Sequence, residues 1–78
     1  MRKEVIYIDG RELKMLLNGK DFIYFNGYKY YFTPQDIQKL EDSKTYVLFQ
    51  KYGMLFVKPL SGGKSIIVKR GEKVPKGG

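Results

Sequence analysis

Short apolar runs alternate with polar breaks along this chain, and their period switches between that of a strand and that of a helix. Glu4 to Ile8 reads as a short strand. Asp9-Gly10-Arg11-Glu12 has capping-box spacing, with Asp9 accepting from backbone N–H groups and Glu12 reaching back. Leu13, Leu16 and Leu17 follow at helical spacing until Asn18-Gly19 stops the helix. Residues 22–32, Phe-Ile-Tyr-Phe-Asn-Gly-Tyr-Lys-Tyr-Tyr-Phe, hold seven of the chain's twelve aromatic residues. Asn26-Gly27 divides two β-prone runs, which predicts a tight two-residue hairpin. Thr33-Pro34-Gln35-Asp36 opens a second, short helix: Thr33 caps it, and Pro34 sits in the first turn, where its missing N–H costs nothing. Ile37 and Leu40 mark the buried side of this helix, which is expected to end near Asp42-Ser43.

Tyr46 to Gln50 and Met54 to Lys58 form a second hairpin. A three-residue loop, Lys51-Tyr52-Gly53 with Gly53 left-handed, pairs Phe49 with Leu55 and Val47 with Val57 and puts all four on one core face. Pro59 ends that ladder, Ser61-Gly62-Gly63 is a loop, and Ser65 to Lys69 is a last strand. At an offset of twenty-four residues, Arg11 to Phe25 resembles Gln35 to Phe49. Leu13 meets Ile37, Leu16 meets Leu40, Ile23 meets Val47 and Phe25 meets Phe49. This is either a duplicated helix–hairpin unit or two similar solutions to one packing problem.

The expected fold class is α+β: a small, mostly antiparallel sheet of about five strands, two hairpins plus terminal strands, with two short helices. The domain is expected over residues 1–70, followed by a flexible basic Gly/Lys tail over 71–78. From residue 22 on, the order hairpin–helix–hairpin–strand, together with the Gly77-Gly78 ending, resembles a β-grasp, ubiquitin-like domain. That resemblance implies a modifier conjugated through Gly78, although the helix is about two turns where the β-grasp helix is longer.

Pairing Phe25 with Tyr28 across the turn sorts the first hairpin into two faces. Ile23, Phe25, Tyr28, Tyr30 and Phe32 form the core set. Phe22, Tyr24, Lys29 and Tyr31 form the other, interleaving rings with a cation, the composition that stacks unpaired bases while holding phosphate. Covering of both faces by other elements would make every ring structural, and the same rings also suit a protein interface.

Charge sharpens this. Fifteen Lys+Arg against eight Asp+Glu give a formal net charge of +7, which favours polyanionic partners. From Ser61 onward five cations (Lys64, Lys69, Arg70, Lys73, Lys76) face one anion (Glu72), a net of 5 − 1 = +4. Such a segment raises affinity for phosphates through counterion release. With neither cysteine nor histidine, disulfides, thiolate chemistry, the usual zinc sites and imidazole catalysis are excluded. No metal, no cofactor and no enzymatic activity are expected. Several carboxylates already have capping or helix-end roles. The N-terminal apolar stretch is four residues long, which fits neither a signal peptide nor a membrane span, so a cytoplasmic protein is expected.

Two local similarities remain. Ser61-Gly62-Gly63-Lys64-Ser65 echoes the end of a phosphate-binding loop, but the pattern requires glycine at position 58, where Lys58 stands, and Ile66-Ile67-Val68 is β-like rather than helical. Asn26-Gly27-Tyr28-Lys29-Tyr30-Tyr31 followed by Thr33 to Leu40 resembles the wing and following helix of MerR-type and excisionase-type winged-helix DNA-binding proteins. That resemblance implies Tyr28, Lys29 and Tyr30 lying beside a DNA backbone. Phe32 is an extra residue in the spacing, and the flanking elements do not match the two-helix reading motif. The functional expectation is a small nucleic-acid-binding domain (DNA or RNA) using Phe22, Tyr24, Lys29 and Tyr31 with Lys64, Lys69, Arg70 and Lys73. The alternative is a protein-interaction module, an inhibitor or accessory subunit of the sort found among phage and mobile-element products, acting on a host protein.

Overall fold

A computed structural model describes residues 5–73. Its elements are β1 (Val5–Asp9), α1 (Gly10–Leu17), β2 (Phe22–Phe25), β3 (Tyr28–Tyr31), α2 (Pro34–Gln38), β4 (Thr45–Lys51), β5 (Met54–Pro59) and β6 (Ile66–Lys73). The strands pair in the order β1-β4-β5-β6-β3-β2, and every pairing is antiparallel. The class is α+β as expected, but with six strands rather than about five. Both terminal segments contribute a full strand: β1 pairs along β4, and β6 inserts between the two hairpins. β6 continues to Lys73, past the Gly71 boundary at which a flexible tail is expected, and residues 74–78, with Gly77-Gly78, lie outside the described residues. The α2 helix has five residues, far from the long helix of a β-grasp domain.

β6 serves two ladders. Ile66 to Lys69 pair with β5, and Arg70 and Lys73 pair with β3. Tyr28↔Lys73 and Tyr30↔Arg70 span two residues on β3 (30 − 28) and three on β6 (73 − 70), so β6 carries one extra residue. A bulge of this kind bends its strand and increases the local twist. The result is visible at the two ends of the sheet. β1 and β2 are the outermost strands, yet Ile6 and Ile8 of one and Ile23 and Phe25 of the other line a single groove. The sheet therefore curls on itself. One cluster of buried side chains fills the inside, drawn from both hairpins, β6, α1 and the segments flanking α2, with Leu13, Tyr30, Leu55 and Val57 fully enclosed.

The first hairpin has the expected register, Phe25↔Tyr28, with Asn26 at φ 51° and Gly27 at φ 80° forming the turn. The second differs from expectation. Its loop is two residues, Tyr52-Gly53, so that Lys51 faces Met54, Phe49 faces Phe56 and Leu48 faces Val57. This one-residue shift reverses the face of β4, whereas Leu55 and Val57 of β5 keep their expected core places. Tyr46 and Leu48 turn inward with Leu55 and Val57, whereas Val47 and Phe49 leave the core and lie half-buried on the outside. A two-residue turn with both φ values positive matches the strand twist, but it holds Tyr52 at φ 55°. That conformation costs a side-chain-bearing residue roughly 1–2 kcal/mol. Burial of Tyr46 and Leu48 replaces that of Val47 and Phe49, and the packing of the curled sheet outweighs this strain.

The helices show the same override. Leu13 and Leu17 of α1 are buried, but Leu16 is 59% exposed at the rim of the groove. Asp9 occupies the N-cap position without capping, because its carboxylate accepts from Thr45 Oγ1 at 3.0 Å instead. α2 has a complete capping box: Thr33 Oγ1 accepts from the Asp36 N–H, and Asp36 Oδ2 accepts from the Thr33 N–H, both at 3.1 Å. It ends at Gln38, short of Asp42. The segment after it is held against the start of α1, where the Gly10 N–H donates to Lys44 O at 2.8 Å and the Glu41 N–H donates to Tyr46 Oη at 2.9 Å.

The twenty-four-residue similarity survives in element order and fails in packing. Leu16 is exposed where Leu40 is buried, and Ile23 and Phe25 point inward where Val47 and Phe49 point outward. The two helix–hairpin segments are separate packing solutions.

Candidate functional site

Alternation along the first hairpin places Phe22, Tyr24, Lys29 and Tyr31 on its outer face, with Phe22↔Tyr31 and Tyr24↔Lys29 directly paired. Tyr24 is 61% and Tyr31 40% exposed, and Phe22 and Lys29 are half-buried between them. The four side chains form one cluster. Phe22 meets Tyr24 edge to face at a centroid separation of 5.5 Å and Tyr31 at 5.9 Å. Lys29 Nζ stands 4.3 Å from the Phe22 ring centre, 5.5 Å from that of Tyr31 and 6.0 Å from that of Tyr24. Lys20 Nζ also approaches Phe22, at 5.9 Å. Each such contact contributes about 0.5–1 kcal/mol at an exposed site, so the ammonium is held among the rings. The surface presents a positioned positive charge flanked by two solvent-facing phenol rings.

Gly71 completes this seat from β6. A Cβ at that position would lie 2.6 Å from Tyr31 Cε2 and 2.9 Å from the Lys29 carbonyl oxygen. The Tyr31 ring thus packs across a strand position that must lack a side chain. Lys69 is exposed two residues earlier on the same strand. Arg70 is the ladder partner of Tyr30, its side chain lying outside the described ones, and the exposed Lys73 is the partner of Tyr28. Lys64 lies in the loop before β6, five residues before Lys69 and nine before Lys73, up to about 17 Å and 30 Å away at roughly 3.3 Å per residue. The structure therefore brings Phe22, Tyr24, Lys29, Tyr31 and Lys69 to one region and leaves Lys64 apart.

The winged-helix comparison does not carry over to the tyrosines. Tyr30 is fully buried and its hydroxyl accepts from Gln50 Nε2, while Gln50 Oε1 accepts from Asn26 Nδ2 at 2.6 Å. Tyr28 is half-buried against the core. Neither ring lies on the outer face that presents Lys29.

A second surface was hidden by the register of the second hairpin. Across the outside of β1, β4, β5 and β6 runs a row of directly paired apolar residues, Val5, Phe49, Phe56 and Ile67. Phe49 and Phe56 stack at 5.3 Å with their planes 11° apart. Lys51 and Lys69 border this row through Met54, and Lys58 borders it through Val47. The sequence signal for it is the Tyr52-Gly53 dipeptide, had a tyrosine at positive φ been admitted.

Charge is divided between the sides of the molecule. On the helical side, Lys14 Nζ binds Asp42 Oδ1 at 2.8 Å and Lys44 Nζ binds Glu41 Oε2 at 2.9 Å. The hydrogen bond and positive charge of Lys14 hold the Asp42 carboxyl below its ordinary pKa, and the hydrogen bond to Glu41 raises that of Lys44. Among the described residues Lys51, Lys58 and Lys69 make no ion pair, and Asp9 is the one carboxylate among the described side chains of the strands.

Among the described residues no group of three or more His, Cys, Asp or Glu could hold a metal ion, and no helix is long and apolar enough to cross a membrane. These features define a small antiparallel α+β domain with a ring-and-lysine surface. No family model, curated protein or solved structure matches the chain.

Proposed function

We propose that this domain is a non-enzymatic nucleic-acid-binding module. Its outer hairpin face takes bases on Tyr24, Tyr31 and Phe22, and Lys29 with Lys69, Arg70 and Lys73 contacts phosphates. Lys64 adds charge at a distance. The observation that supports this most is the cluster itself: Lys29 Nζ is centred among three rings, two of them open to solvent. Ring stacking contributes about 1–3 kcal/mol per base, so two rings suffice for a working site. Fluorescence anisotropy with a labelled oligonucleotide at low salt tests it. Tyr24→Ala and Tyr31→Ala should each weaken binding roughly 5- to 150-fold, and affinity should fall steeply with salt. Unchanged affinity in both variants rules out the stacking role.

The apolar row Val5–Phe49–Phe56–Ile67 supports a second reading, a protein-interaction module, because its centre is apolar and its border charged, as in protein interfaces. Salt-insensitive association with no oligonucleotide affinity favours that reading.

A further inference from the structure

We infer that the polynucleotide is a single strand that continues from the hairpin face around β6 onto the outer face of β5 and β4, with Lys69, Lys58 and Lys51 as phosphate contacts and Phe49–Phe56 as an apolar floor for bases. This rests on the nucleic-acid reading above and extends it to residues outside the hairpin. Charge complementarity supplies the first argument. The outward lysines of β4, β5 and β6 make no ion pairs among the described residues. The described side chains of these three strands include no carboxylate to repel a polyanion, and the charge of Asp9 lies on the edge strand β1.

Shape supplies the second. From β2 through β3, β6 and β5 to β4 is four interstrand steps, about 19 Å at roughly 4.8 Å each. The sheet bends at the β6 bulge and curls until its edge strands share a groove, so the two ring-and-lysine surfaces face different directions. Lys69 lies on the strand between them. A duplex, with a persistence length of about 150 base pairs, cannot follow so tight a turn without a large bending cost. A single strand can, and it alone offers unpaired bases to the rings.

The test uses the full chain, homopolymeric thymidine strands of about four and about twelve nucleotides, and a duplex of the longer length, within the span of roughly 4–16 nucleotides that small barrel domains cover. The triple variant Lys51→Gln/Lys58→Gln/Lys69→Gln changes exposed residues, and its thermal melt confirms that it folds. It should weaken the longer strand at least tenfold and reduce its salt slope by about 2, at roughly 0.7 for each phosphate left without its lysine. The four-nucleotide strand, which loses the Lys69 contact alone, should weaken less than the longer one and lose about 0.7 of its salt slope. Phe56→Ala should weaken the longer strand selectively. If Tyr24→Ala weakens the longer strand but the triple variant leaves it unchanged, the extension is wrong and the hairpin site stands without Lys69. Equal or tighter binding of the duplex overturns the single-strand assignment. No binding of any oligonucleotide at low salt overturns both readings. A wild-type dimer that the triple variant or Phe56→Ala dissociates, with oligonucleotide affinity untouched, overturns the extension and makes this face an interface between copies instead.

Discussion

Replacing Gly10 by alanine sets local preference against tertiary packing. Gly10 is the first residue of α1, and alanine is favoured over glycine in a helix by about 1 kcal/mol. Local preference alone therefore predicts a more stable protein. The structure predicts the reverse. A Cβ on Gly10 would lie 2.0 Å from the Glu41 carbonyl oxygen, 2.7 Å from its carbon and 3.1 Å from Tyr46 Cε1. A carbon–oxygen contact of about 3.3 Å requires the Glu41 segment to retreat by roughly 1.3 Å. Two hydrogen bonds oppose that retreat, Gly10 N–H to Lys44 O and Glu41 N–H to Tyr46 Oη. Overpacking costs about 2 kcal/mol and the two bonds about 1 kcal/mol each; less about 1 kcal/mol of helix preference, the net loss is roughly 3 kcal/mol. A domain of this length has a total stability of about 4–12 kcal/mol, so the melting temperature should drop by roughly 12–24 °C. Circular dichroism melts read this directly. Gly19→Ala, at φ 80° with open space around it, meets backbone strain alone and should fall by about 4–16 °C. A Gly10→Ala protein melting at or above the wild type would refute the tight seat between α1 and the segment after α2.

Three further outcomes are expected. Gln50→Ala strands the buried Tyr30 hydroxyl and should cost about 1–3 kcal/mol in urea unfolding, more than Tyr30→Phe, which leaves a half-buried glutamine within reach of water. Tyr52→Asn relieves positive φ at an exposed turn residue and should raise stability by about 0.5–1 kcal/mol, visible as a higher urea midpoint at constant slope. The pKa of Asp42 is lowered in the folded state by Lys14, so the stabilising contribution of this pair is present above the ordinary carboxylate value near about pH 4 and is lost as pH falls through the lowered one. An NMR titration of Lys14→Met should show the Asp42 midpoint moving up; because the pair is exposed, stability at neutral pH should barely change.

What could be read from the residues was whatever short-range chemistry decides. Asn26-Gly27 determines its own turn and thereby the faces of the first hairpin, so the outward set Phe22, Tyr24, Lys29 and Tyr31 was legible in full. Thr33-Pro34 likewise marks its own helix start. The second hairpin was not legible in this way, because its loop places a tyrosine where turn preferences call for glycine or asparagine. The register there is chosen by what Tyr46 and Leu48 gain inside the curled sheet. The same long-range packing leaves Leu16 outside and takes the Asp9 carboxylate away from its helix. The outer face of β4 and β5, and the lysines around it, were hidden with that register.

The strand order also bears on how this chain acquires its structure. β6 comes last among the described strands, yet it lies near the middle of the sheet and is the strand that joins the two hairpins. The Tyr30↔Arg70 pairing spans forty residues (70 − 30), so the aromatic hairpin waits for a distant partner. Long-range pairings of this kind slow folding, since loop closure precedes any return in contacts. During synthesis at about 5–20 residues per second, the rings of residues 22–32 emerge seconds before the strand that completes their sheet. A chain interrupted before β6 would hold two hairpins with no strand between them.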